Sequence, residues 1–144
     1  MTVFTGVREP EYFQTGQRHI ASLRARNPEP QAFLNAEDAR QYGLEDGDWA
    51  EVRTEQGGCT VKISIRDMPK GLVRVPHGWW KPETKQGADH LSSAWIHADA
   101  QICPDSSDYL DREQGIPHFR GMACSIRKLS TANSFGSTIE TGLS

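Results

Sequence analysis

Apolar and polar positions alternate most cleanly in the middle of the chain. Trp49-Ala50-Glu51-Val52-Arg53-Thr54 follows a period of two, as does Cys59–Arg66, with Gln56-Gly57-Gly58 between them. That pattern predicts two antiparallel strands joined by a tight hairpin turn. Asp67-Met68-Pro69-Lys70-Gly71 is a second turn, and Leu72–Pro76 reads as a third strand. Just upstream the pattern is helical and short. Asn35 is a good N-cap, Asp38 sits where a capping-box acid would stand, and Ala36–Tyr42 follows as a helix. Gly43 then supplies a left-handed C-cap, and Leu44 enters the turn Glu45-Asp46-Gly47-Asp48.

Outside this middle section the periodicity fades. Residues 1–5 form a β-prone start broken by Gly6. Residues 8–31 have no clean period and read as an ordered loop with one helical turn around Ile20–Arg24, before Asn27-Pro28-Glu29-Pro30 forces extended backbone. Residues 77–121 are loop-rich and punctuated by glycine and proline, with room for one helix over Ala88–Ala98. Met122–Leu129 reads as the closing strand, and Ser130–Ser144 as a disordered tail poor in apolar residues. The expected organisation is mainly β with a short helix, one small barrel over residues 1–129 and a tail over 130–144. Long loops without secondary structure in a compact domain point to function.

Composition narrows the function classes. The chain has 144 residues, 36% hydrophobic and 24% charged, as one polar-leaning domain would. The net charge is −3 and no Lys/Arg stripe occurs, which argues against nucleic acid as a partner. Cys59, Cys103 and Cys124 form no CxxC pair, so neither a disulfide framework nor a cysteine-rich cluster is expected. His90 and His97 lie one heptad apart without a matched third metal ligand. No apolar run approaches the ~20 residues needed to span a bilayer, and Met1–Gly6 lacks the pattern of a signal peptide. This segment is therefore not expected to contact a membrane.

One run is distinctive in its order: Phe33-Leu34-Asn35-Ala36-Glu37-Asp38-Ala39, then Tyr42-Gly43-Leu44-Glu45-Asp46-Gly47-Asp48-Trp49-Ala50-Glu51-Val52-Arg53. Residue by residue it is a helix-to-strand corner. It resembles the opening of the molybdopterin-dinucleotide-binding domain that ends the dimethyl sulfoxide reductase family of molybdenum and tungsten oxidoreductases, a double-psi β-barrel. The resemblance covers roughly residues 3–129. Thr5-Gly6-Val7-Arg8 resembles that family's TGxR loop, and Tyr12-Phe13-Gln14-Thr15 its YFHS, with Gln14 in place of His. Arg18–Ile20, Leu23-Arg24 and Asn27–Pro30 are similar to the polysulfide and thiosulfate reductase branch. Pro76-His77-Gly78-Trp79-Trp80 resembles HGWW, and Leu110-Asp111, Gly115, Pro117 and Phe119-Arg120-Gly121 resemble the closing motif, with Arg112 departing from its Pro. The family's Asn after the tryptophans has no counterpart here, leaving Asp99 or Gln101 to substitute.

The residue types suit the ligand this resemblance implies, which carries a pterin, a pyrophosphate and a guanosine. Thr5-Gly6 with Arg8 offers pyrophosphate close backbone N–H groups and a guanidinium, and Arg120 is a second phosphate candidate. Gly78 allows close backbone approach, while Trp79 or Trp80 offers a flat face or an indole donor. Gln14 and Thr15 are neutral partners for a pterin edge. The candidate cofactor-binding set is Thr5, Gly6, Arg8, Gln14, Thr15, His77, Gly78, Trp79, Gln101, Pro117 and Arg120, with no catalytic or metal-ligating residue. Each also has an ordinary structural reading, as a turn glycine, a core tryptophan or a solvated arginine.

The resemblance further implies molybdopterin guanine dinucleotide as cofactor, with molybdenum or tungsten held by the parent enzyme and any iron–sulfur cluster elsewhere in that parent. The partners would be the parent's remaining domains or catalytic subunit, and the chemistry two-electron redox, on a sulfur compound or another small anion. This segment would bind the cofactor and close the funnel above it without being catalytic alone. Two rivals stand beside it: a free-standing double-psi barrel used as an adaptor, and a small dedicated subunit of a molybdenum or tungsten enzyme.

Overall fold

A computed structural model describes residues 1–13, 16–80 and 92–130. Among them run seven strands: β1 (Thr2–Phe4), β2 (Gln31–Leu34), β3 (Trp49–Arg53), β4 (Gly58–Ile65), β5 (Leu72–Arg74), β6 (Arg120–Ala123) and β7 (Ser125–Lys128). Three helices accompany them, α1 (Ala21–Arg26), α2 (Ala36–Gln41) and α3 (Ser92–His97). The sheet order is β6-β1-β5-β2-β4-β3-β7. Its two edge strands are consecutive in sequence, with Cys124 alone between them, so the sheet has to curl until its edges meet. The chain folds as a double-psi β-barrel, with the parallel pairs β1–β5 and β2–β4 set among antiparallel neighbours.

The hairpin pairs as its alternation requires, with Trp49 opposite Lys62 and Val52 opposite Cys59. Val52, Val61 and Ile63 from its inward face join Val3, Leu34, Val73 and Ile102 in a core from which water is essentially excluded. Burying each of these side chains stabilises the fold by roughly 1.5–3 kcal/mol. Asn35 caps α2 by accepting the Glu37 N–H at 2.8 Å, and Gly43 takes φ +64°. Asp38 does not turn back to complete a capping box. It is buried, and its carboxylate accepts the Gly71 N–H at 2.7 Å. Asp46 and Asp48 accept from the backbone of Ile65 and Glu45, so the acidic turn is architecture.

Three expectations need correcting. The pattern leaves out β2, which begins at the last residue of the 8–31 loop; Phe33 on its outer side is covered by the guanidiniums of Arg74 and Arg66 at 4.5 and 5.6 Å. An apolar residue on the outward face hides the alternation. The closing strand expected over 122–129 is two strands: β6 pairs with β1 and β7 with β3, and the chain changes edge at Cys124. The helical turn around Ile20–Arg24 is α1, shifted slightly toward the C-terminus. Of the helix expected over Ala88–Ala98, Ser92–His97 is helical and residues 88–91 lie outside the described residues. The expected tail lies there too, apart from Ser130.

Candidate functional site

Beyond β5 the chain turns at Pro76-His77-Gly78-Trp79, where Gly78 takes φ +64°. This turn is held from one side by Asp99, which opens a short 3-10 turn (Asp99–Gln101) and is 3% exposed. Its carboxylate has three polar partners. The Gly78 N–H lies 2.9 Å from Oδ1, and His77 Nδ1 lies 2.7 Å from Oδ2. The Thr5 hydroxyl, fully buried just past β1, also donates to Oδ2. A buried carboxylate is tolerated when several donors satisfy it, and these come from two distant segments.

From the other side the turn is held by Arg18, whose guanidinium donates to the Gly78 carbonyl at 2.7 Å. Arg18 is 6% exposed and lies between the rings of Tyr12 and Trp79, at 5.1 and 5.0 Å from their centroids. Burial lowers its pKa to about 10. The Gly78 peptide is thus gripped at its N–H by a buried anion and at its carbonyl by a buried cation. Trp79 is itself buried, with His97 edge-on at 5.7 Å. Among the described residues, two buried donors here have no acceptor, Arg18 Nε and Trp79 Nε1. The loop carrying Arg18 is tied down by the Tyr12 hydroxyl on the Asn27 carbonyl at 2.8 Å and by Glu9 against Arg74 at 2.6 Å. Desolvation raises the Glu9 carboxyl pKa despite the opposing pull of Arg74.

The third wall is the segment before β6. The Thr5 N–H donates to the Phe119 carbonyl at 2.8 Å, and the Phe119 ring meets His77 edge-on at 5.7 Å. Gly6, at φ +82°, lies against Phe119 so closely that a Cβ would already be in contact at 3.5 Å. Gly6, Pro117, Phe119 and Arg120 border an open hollow of about 620 Å³. A second hollow of about 370 Å³, bordered by Thr54, Tyr109, His118 and Arg120, shares Arg120 with it.

Of the eleven candidate residues, Thr5, His77 and Gly78 meet at Asp99, and Gly6, Pro117 and Arg120 share the hollow. Trp79 lies behind the turn as a buried wall. Arg8 is exposed and lies over the Phe13 ring at 4.8 Å, away from these contacts. Gln101 faces the hairpin turn: its carbonyl would stand 2.5 Å from a Cβ placed on Gly57. Of the two residues weighed against the missing Asn, Asp99 is the one that touches the turn. Gln14 and Thr15 lie outside the described residues.

The family model described as "Molydopterin dinucleotide binding domain" matches residues 2–105. The chain belongs to that family. It is 36% identical over 125 residues to an acetylene hydratase of Syntrophotalea acetylenica, covering 84% of this chain and 17% of that protein. It is 34% identical over 135 residues to a dopamine dehydroxylase of Eggerthella lenta, covering 93% of this chain and 13% of the relative. The solved acetylene hydratase of Pelobacter acetylenicus superposes with a TM-score of 0.82 at 33% identity, over 90% of this chain and 18% of the other. The chain thus spans less than a fifth of the length of these relatives, in which this domain is one part of a larger enzyme.

Sequence reasoning left two of the most engaged residues, Asp99 and Arg18, out of the candidate set. Asp99 had a usable signal, as an acid near the expected place of an Asn. Arg18 had only its place in a motif that resembles the family, because an arginine in an aperiodic polar loop reads as solvated until Tyr12 and Trp79 are seen beside it.

Proposed function

We propose that this chain is the cofactor-binding domain of a larger molybdenum or tungsten oxidoreductase and that it takes the guanine form of the molybdopterin dinucleotide. The observation that carries this reading is the gathering of Thr5, Gly6, His77, Gly78, Pro117 and Arg120 around Asp99 and one hollow. The residues fit the group. A dianionic pyrophosphate needs donors and cationic charge at close range, and Gly6 backbone beside the Arg120 guanidinium offers both. Trp79 and the Arg18 guanidinium packed on it back the turn from behind. Arg8, Gln14, Thr15 and Gln101 complete the proposed set.

When bound, the metal–dithiolene centre supplies two-electron redox chemistry, with its protein ligand and any iron–sulfur cluster in other parts of the parent. This chain's residues bind and orient. Asp99 and Arg18 hold the His77–Trp79 turn in one conformation, so little ordering cost remains when ligand arrives. Phe119 and Trp79 exclude water from the rim.

The test is cofactor content of the full-length parent. Losing one charge-assisted contact costs about 1.5–3 kcal/mol, or roughly 10- to 150-fold in affinity. Arg120→Ala and Arg8→Ala are each expected to lower molybdenum or tungsten loading while the protein stays folded. Full loading with both arginines removed defeats the reading.

A further inference from the structure

We propose that Asp99 fixes the His77 imidazole with its proton on Nδ1, leaving Nε2 as a hydrogen-bond acceptor for the 2-amino-4-oxopyrimidine edge of the ligand, and not for its phosphates. The inference rests on the cofactor-binding reading above and assigns one chemistry within it.

The tautomer follows from acceptor counting. The Asp99 carboxylate is buried and, when ionised, can only accept. The Gly78 amide can only donate to Oδ1, and the Thr5 hydroxyl donates to Oδ2. An acceptor-only carboxylate leaves the third partner, His77 Nδ1 at 2.7 Å, as the group that carries the proton toward Oδ2. A ring flip would put Cδ2 where Nδ1 stands and lose this contact, while the edge-on packing on Phe119 at 5.7 Å holds the ring plane. In neutral imidazole the other nitrogen then presents a lone pair. The His77 side chain is 24% exposed, and among the described residues no hydrogen bond reaches Nε2.

That lone pair discriminates between the parts of the ligand. Pyrophosphate oxygens are acceptors and are repelled by it. Pterin and guanine both carry the same edge, a ring N–H beside an exocyclic amine, and either can donate to it. The Arg120 guanidinium, across Phe119 on the hollow, is left for the phosphates. Asp99 is thus a positioning residue for a specificity contact made by His77.

The experiment uses the 144-residue chain labelled with 15N at histidine, read by long-range 1H–15N correlation. The wild type is expected to show His77 protonated at Nδ1 and bare at Nε2 at neutral pH. Asp99→Asn puts an amide donor opposite Nδ1 and should move the proton to Nε2, whereas Thr5→Val should leave it on Nδ1. Guanosine diphosphate or a free pterin should shift the Nε2 resonance, the responding probe naming the source, and inorganic pyrophosphate should leave it in place. An Nε2–H tautomer or an imidazolium in the wild type overturns the proposal. So does an equal response to pyrophosphate, or silence toward both base-bearing probes. Failure of the cofactor reading shows separately, as full metal loading of the parent lacking both Arg8 and Arg120, whatever the His77 spectrum.

Discussion

The buried carboxylate of Asp38 on α2 accepts the backbone N–H of Gly71 at 2.7 Å, tying the helix to the turn between β4 and β5. The Gly71 carbonyl in turn accepts the Thr2 N–H at 2.8 Å, so the helix, the turn and β1 are linked in series. Asp38→Ala leaves the amide without its partner and is expected to cost about 1–3 kcal/mol in chemical denaturation. Asp38→Asn, which keeps an acceptor, should cost less. Equal losses for the two variants would show that the amide contact contributes little.

Gly57→Ala should disturb the candidate site from a distance. A Cβ at that position would stand 2.5 Å from the Gln101 carbonyl, so either the hairpin turn or the Asp99–Gln101 turn has to shift. The expected cost is about 1–3 kcal/mol, the range for overpacking. Amide resonances at Asp99 and Gly78 should move with it, although neither residue is near the substitution in sequence. Unchanged stability and unchanged resonances there would contradict this.

Barrel closure should weaken in acid. Glu51 on β3 lies between Arg53 and Arg127 of β7, and these guanidiniums, Arg53 foremost, hold its carboxyl below the usual range. Asp48 is held down likewise by Lys128 at 2.6 Å. Because both folded pKa values are depressed, their stabilisation is present above the ordinary carboxylate values of about 4 and lost as pH falls through the folded ones. Hydrogen exchange at Ile126 and Lys128 should therefore accelerate below about pH 4 before it does in β4, normalised for intrinsic exchange. Glu51→Gln should flatten part of that dependence. Uniform acceleration across the sheet is the contrary result.

The cysteines should behave as inert thiols. Burial pushes the Cys59 thiol far up, and burial with the nearby Asp99 charge pushes Cys103 up to about 12. Cys124 is raised by burial as well. Alkylation needs the thiolate, so at pH 8 Cys103 should react roughly a thousandfold more slowly than a free cysteine. Cys59, which is also shut away from solvent, should label only on unfolding. Mass spectrometry after a timed alkylation reads this, and fast labelling of Cys59 in the folded protein would refute it.

Local features were legible wherever a short-range rule governs the backbone. Asn35 and Gly43 bound α2 because an N-cap acceptor and a left-handed glycine act within a few residues of themselves. The hairpin over 49–65 was equally plain, because a period of two with a glycine break has one inexpensive solution. Asp38 shows the limit. Its spacing suits a capping box, but the unpaired Gly71 amide, distant in sequence, is what it bonds. Phe33 shows another, since the two arginines that cover it come from β5 and from the residue just past β4.

The amino-acid order alone determined the family, the helix-to-strand corner, the hairpin and the identity of the loops that carry His77, Gly78, Pro117 and Arg120, since all of these rest on neighbouring residues or on motif order. Tertiary structure decided which of those residues meet. Closure of the sheet at Cys124 brings the segment before β6 against Thr5 and Gly6, and burial turns Asp99 and Arg18 from ordinary polar residues into the two charges that grip Gly78. Those contacts depend on where separate strands end in space and on how little water reaches a charge there, and neither is written in any local stretch of sequence.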